Sequence, residues 1–226
     1  MTIIHVRRAG PLLILCAALA SGCQSAYYNA LEEFGVYKRD LLVSRVEDAK
    51  ESQQAAKAQF QTAYEAFQNV TGYEGGELEA RYKALNAEYE QSQQSAQTVH
   101  ERIDAVDDVA QALFDEWEGE LDEYSSDELR RDSEQELEAT KRRYGHLIEA
   151  MRAAEEKLDP VLAAFQDQVL ALKHNLNARA IASLSDERTP VQAHVAALVS
   201  QMNASIKEAE TFLATIKTEP DKGNDT

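Results

Sequence analysis

The chain has 226 residues, 44% of them apolar, with nine Gly and four Pro, which suits one or at most two helix-rich domains. Its 23 Lys and Arg stand against 40 Asp and Glu, a net charge of −17 at pH 7. No basic surface can be assembled from that balance, which excludes binding to nucleic acid and argues against peripheral docking on anionic lipid.

Residues 1–22 read as an export signal. A basic start with His5, Arg7 and Arg8 precedes an apolar core from Pro11 to Leu19 and the small residues Ala20, Ser21 and Gly22. The core is well short of the ~20 residues that a membrane-spanning helix needs. The run Leu19-Ala20-Ser21-Gly22-Cys23 resembles the bacterial lipobox. There the peptide is cut before the cysteine, whose sulfur receives a diacylglycerol, and further acylation (palmitate) follows. Multiple chains give the stable attachment that one chain does not. The resemblance implies lipidation of Cys23 and, because Gln24 rather than Asp follows it, the periplasmic face of an outer membrane. Cys16 lies inside the signal, so the matured chain keeps a single cysteine and forms no internal disulfide.

From Tyr28 the apolar spacing alternates four and three, the seam of a coiled coil. The first helix places Tyr28, Leu31, Gly35, Lys38, Leu42, Val46, Ala49, Gln53, Ala56, Phe60, Ala63, Phe67 and Val70 on that seam. The second runs from Leu78 through Tyr82, Leu85, Tyr89, Ser92, Ala96, Val99, Ile103, Val106, Ala110, Leu113 and Trp117 to Leu121. The third begins at Leu129 and passes Leu137, Tyr144, Leu147, Met151, Leu158 and Phe165 toward Leu176; the fourth runs from Val191 to Ile216. Gly72, Gly75 and Gly76 mark the first turn, a Ser125/Glu128 capping box the second, and Thr189, Pro190 and Gln192 the third.

Antiparallel register follows from matching the seams. Helices one and two pair Val70 with Leu78, Phe60 with Tyr89, Val46 with Ile103 and Leu31 with Trp117; helices two and three pair Leu121 with Leu129, Trp117 with Ser133 and Ile103 with Leu147. The last hairpin pairs Met202 with Val169 and Leu213 with Leu158, so the fourth helix should cover only half of the third. The expected fold is all-α: an elongated antiparallel coiled-coil bundle over residues 23–217, three helices at one end and four at the other, with a disordered tail at 218–226. Pro160 should kink the third helix. Cys23 places the three-helix end at the membrane.

No catalytic constellation is present. The four histidines after Cys23 lack the Glu three residues upstream that a di-iron bundle uses, and there is no HExxH, P-loop or GxSxG pattern. The reading is of a non-enzyme with no cofactor and no metal. Between Glu101 and Glu138, sixteen acids stand against three arginines, around the end that the topology puts at the membrane. Candidate partner-surface residues there are Asp115, Glu116, Glu118, Glu120, Asp122 and Glu123. Phe34, Tyr37 and Leu41 join them, running beside the main seam of the first helix. The plain readings of both features are a solvated face and a widened contact stripe.

The stretch from Tyr27 to Phe60 resembles the opening of an uncharacterised proteobacterial family of small helical lipoproteins, a domain of unknown function. The resemblance rests on Gly35, Lys38, Arg39, Asp40, Leu41, Val43, Arg45, Val46, Ala49, Gln59 and Phe60. It implies an exported coiled-coil protein and brings no activity with it. Lys38, Arg39 and Asp40 fall where the third helix could pair with them, so their expected role is structural. The expected role is envelope structure or interaction with a protein partner. The alternative is a module that holds a lipid, peptide or divalent cation in the three-helix half.

Overall fold

The computed structural model describes residues 37–71, 78–174 and 188–218. These form five helices: α1 (Lys38–Thr71), α2 (Leu78–Glu120), α3 (Asp127–Glu155), α4 (Leu158–His174) and α5 (Arg188–Thr218), with a short 3-10 turn at Leu121–Glu123. No strand occurs among the described residues. The signal segment, Cys23, Phe34, Gly35, the glycine turn at 72–77 and the tail at 219–226 lie outside them.

The heptad rows become the core. Leu42, Val46, Ala49, Ala56, Phe60, Ala63, Phe67 and Val70 of α1 are fully buried, as are Leu85, Val99, Ile103 and Val106 of α2. Burying each Leu, Val, Ile or Phe side chain contributes on the order of 1.5–3 kcal/mol, enough to hold together a bundle that uses no cross-link between the described helices. α1 packs beside α2 and α5, and the α3–α4 unit packs beside the same two helices from the other side. The result is an up-down-up-down arrangement, with Phe60 and Phe165 meeting across its centre at 6.4 Å between ring centroids. The 43 residues of α2 make a rod ~65 Å long at ~1.5 Å per residue.

Side-chain bonds fix the first two registers close to the expected ones. Gln59 donates to Glu88 at 2.8 Å and Arg102 to Asp48 at 3.2 Å across α1 and α2. Trp117 donates to Ser133 at 2.8 Å across α2 and α3, a pair read directly from the seams.

The fourth element departs from expectation. Arg188 bonds Thr71 at 2.7 Å, Lys57 bonds Asn203 at 2.9 Å, and Lys217 bonds Glu47 at 2.6 Å, so α5 runs antiparallel along nearly all of α1. Its C-terminal part therefore passes the end of α4 and continues along α3, with which it packs. The expected coverage of half the third helix is too short. The physical reason is the width of the α5 face: Ser205 with Ile206, and Phe212 with Leu213, are all buried. Two adjacent rows serve two neighbours at once, so matching one row to one partner misplaced the register.

The third predicted helix is two. Glu156 and Lys157 form a turn, with Lys157 N–H bonding Ala154 O at 3.2 Å in the tighter three-residue pattern. Pro160 explains it: the ring has no N–H for the Glu156 carbonyl and collides with it, so a continuous helix is interrupted one turn earlier. Two cap assignments shift by a residue or two. Ser126, not Ser125, caps α3, its hydroxyl accepting from Leu129 N at 3.4 Å. α5 includes Arg188, which puts Thr189 inside the helix instead of at its cap.

Candidate functional site at the hairpin tip

The end formed by α2, the 3-10 turn and α3 differs chemically from the rest. Beyond Lys38 at one side and Thr218 at the other, the described α1 and α5 no longer flank the α2–α3 hairpin. The seam residues there lose cover: Leu113, Trp117 and Leu121 are only partly buried, and Leu129 is 57% exposed. Leu113, Trp117 and Leu129, with Arg39 and Ile216, line an open groove whose rim carries Glu116, Glu120, Asp132 and Glu134 beside Arg131 and Arg142.

The candidate acids converge on this tip, but several are engaged within the molecule. Glu116 accepts a 2.7 Å bond from the buried Lys38 ammonium. Glu118 pairs with Lys141, whose ammonium also lies 5.8 Å from the centre of the Phe114 ring. Asp122, with an 85% exposed side chain, reaches Arg130 at 3.4 Å. Asp115 and Glu123 are exposed. Of the three apolar candidates, Tyr37 is 57% exposed, Leu41 packs against the core as part of the bundle, and Phe34 lies outside the described residues. Tyr124, which the seams did not single out, is with Tyr37 an exposed aromatic among the described residues of this end.

The basic residues of the resemblance stretch do bind other helices. Lys38 holds Glu116 on α2, and Arg39 donates to the Ile216 carbonyl on α5.

Sequence reasoning missed one network, at the junction of α3 and α4. Arg152 donates to Asp104 at 2.7 Å and to Glu155 at 3.0 Å, and lies 3.8 Å from Asp107. Tyr144 donates to Asp107 at 2.6 Å. Burial, reinforced by that hydrogen bond, pushes the Tyr144 hydroxyl far above its ordinary range and keeps it neutral. His100 contacts Glu155 through Nδ1 and lies 3.4 Å from Asp104 through Nε2; the bond to Glu155, then its charge and that of Asp104, raise the imidazole above 6.5. The signal was present in the spacings. Asp104 with Asp107 and Arg152 with Glu155 stand three apart, His100 with Asp104 four apart, and the Ile103–Leu147 pairing brings both helices level. Among the described residues, no group of three or more His, Cys, Asp or Glu could hold a metal ion, and no helix is long and apolar enough to cross a membrane.

The fold and this tip define a class: a long antiparallel helical bundle with one acidic, incompletely covered end. The chain belongs to the family described as a protein of unknown function, DUF2959, whose model matches residues 27–216, from just after Cys23 to the end of α5. No curated protein and no solved structure matches it.

Proposed function

We propose that this protein is a lipoprotein of the outer membrane, held on its periplasmic face by acyl chains on Cys23 after removal of residues 1–22. In this reading its bundle serves envelope structure or protein–protein interaction, with neither catalysis nor a resident cofactor. The signal-like start and the Leu19–Cys23 run support the anchor. The observation that carries the interaction reading is the tip itself, where exposed Tyr37 and Tyr124 stand among Asp115, Glu118, Glu120, Asp122 and Glu123. Aromatic contact area set among carboxylates that outnumber the arginines beside them suits a protein partner with a basic surface, since charge complementarity steers association and aromatics supply anchors. In this reading three helices meet at the membrane-proximal end and four at the distal end.

Two measurements test it. Labelling with a radioactive fatty acid should mark the wild-type chain and be lost in Cys23→Ser. Photo-crosslinkers placed at Tyr37 and Glu118 in living cells should trap a defined protein band absent when the crosslinker is at Gln201, on the distant α5 surface; no band would sink the interaction reading. A second reading, a module that holds a lipid, peptide or divalent cation, has the open groove between α2 and α3 in its favour. Native mass spectrometry showing a retained small molecule, lost in Trp117→Glu, would move the conclusion there.

A further inference from the structure

We propose that the α3–α4 junction is a pH-set latch: protonated His100, on α2, holds the Glu155 carboxylate at the end of α3, and loss of that proton loosens the turn at Glu156–Lys157.

The junction is weak by construction. Pro160 offers no N–H to the Glu156 carbonyl, so the helical ladder is interrupted, and the turn is held by the Glu156 N–H bond to Arg152 O at 2.9 Å and the Lys157 N–H bond to Ala154 O at 3.2 Å. Glu155 and Glu156 also stand at the carbonyl end of α3, where the helix dipole disfavours negative charge. The Glu155 side chain is only 17% exposed, so water cannot fully compensate its carboxylate and nearby cations must.

Two cations do so. Arg152 reaches Glu155 at 3.0 Å and Asp104 at 2.7 Å and lies 3.8 Å from Asp107, which leaves one guanidinium to serve three carboxylates. His100 is the second, contacting Glu155 through Nδ1 and lying 3.4 Å from Asp104 through Nε2. With the imidazolium present, three carboxylates face two cations; with the neutral ring they face one. Tyr144 donates to Asp107 and stays neutral, so it brings no charge to the balance. Nor do the other elements supply one among the described residues. α1 turns Asp48 to Arg102, Glu101 of α2 accepts from Gln97, and the charges that act on the ring are those of Glu155, Asp104 and Arg152, none from α4 or α5.

The sign follows from these contacts. The bond to Glu155, then its charge and that of Asp104, raise the imidazole above 6.5 when the junction is closed, so the proton favours the closed form. The latch is fully engaged below the unlatched value near 6.5 and is lost as pH rises through the higher latched one. Met151 and Ala154 before the turn and Leu158 and Val161 after it are buried, which confines the opening to the turn itself and leaves the bundle folded. The rod is then stiffer at its middle in acid than in base.

Amide hydrogen exchange on the purified protein tests this, read at Glu156 and Lys157 and corrected for the intrinsic pH dependence of exchange. Between about pH 5.5 and about pH 8, protection in wild type should fall about two- to five-fold, a range set by the exposure of His100 to solvent. The exchange should be insensitive to low urea, as local opening is. His100→Asn should hold the low protection of wild type in base at every pH, with circular dichroism unchanged. Glu155→Gln should bring the His100 titration, followed by its ring proton shifts, down toward the ordinary value, a change that a merely structural contact would not produce. Flat protection in wild type, an equal fall in His100→Asn, or a His100 titration unmoved by Glu155→Gln overturns the proposal. So does exchange at the turn that rises with urea in step with the Leu147 amide, which would assign the effect to unfolding of the whole bundle.

Discussion

The body of the bundle and its tip are built from one heptad pattern, but they use it differently. In the body, four helices surround each layer, and Phe60, Phe67, Phe165 and Leu172 are fully buried. At the tip the described hairpin presents the same pattern, and its leucines and tryptophan stay partly wet while acids crowd the rim. An apolar repeat specifies that a residue wants a neighbour; the number of helices present decides whether it has one. Stability should therefore reside in the body and binding capacity at the tip.

Substitutions can break or sharpen that contrast. The largest loss is expected from Phe60→Ala, which empties a fully buried, ring-stacked site and should cost about 3–5 kcal/mol in urea unfolding. A loss below ~1 kcal/mol would mean that the body is not the stabilising half.

Next comes the polar layer inside the body. Gln53 is fully buried, its Oε1 accepting a 2.8 Å bond from Ser205, while its Nε2 has no partner among the described residues. Ser205→Ala should strip that bond and cost about 1–3 kcal/mol, whereas the double change Gln53→Leu/Ser205→Ala, which removes both partners, should be close to neutral. The reverse order would show that the layer selects register at the expense of stability, as single polar seam residues do in coiled coils.

The α3–α4 junction should give a smaller, pH-dependent effect. His100 is raised above 6.5 in the folded state by Glu155 and Asp104. Its contribution is then fully present below the unfolded value near 6.5 and is lost as pH rises through the higher folded value. Urea midpoints of wild type measured at rising pH should fall relative to those of His100→Asn across that window. The side chain is 54% exposed, so the difference will be modest; a wild type that gains on the variant as pH rises would refute the pairing.

Smallest of all is the tip surface. Asp122→Asn removes a 3.4 Å contact from an 85% exposed carboxylate and should shift stability by no more than about 0.5 kcal/mol. A larger change would mean that the acidic rim is structural, and would weaken its candidacy as a partner surface.

Much of this was readable from spacing. Every described seam residue of α1 is buried, and the Trp117–Ser133 pair was placed by register alone. The chain's α-helical class and its membership in a family without assigned activity were equally accessible from the residues. The site was less readable. Asp115 to Glu123 could be found as a cluster, but Glu116 and Glu118 are spoken for by Lys38 and Lys141, which stand 78 and 23 residues away in the chain. Leu41, offered both as part of a widened contact stripe and as a partner surface, packs against the core.

Sequence by itself determined where the helices run, which face of each is apolar and how α1, α2 and α3 align, because these depend on a period of about 3.5 residues and on turn residues acting locally. Tertiary structure alone decided how far α5 extends along α3, which charges are neutralised, and that the described residues of the tip line a groove. Each of those depends on how many neighbours a residue has in space, a quantity that a one-dimensional repeat does not contain.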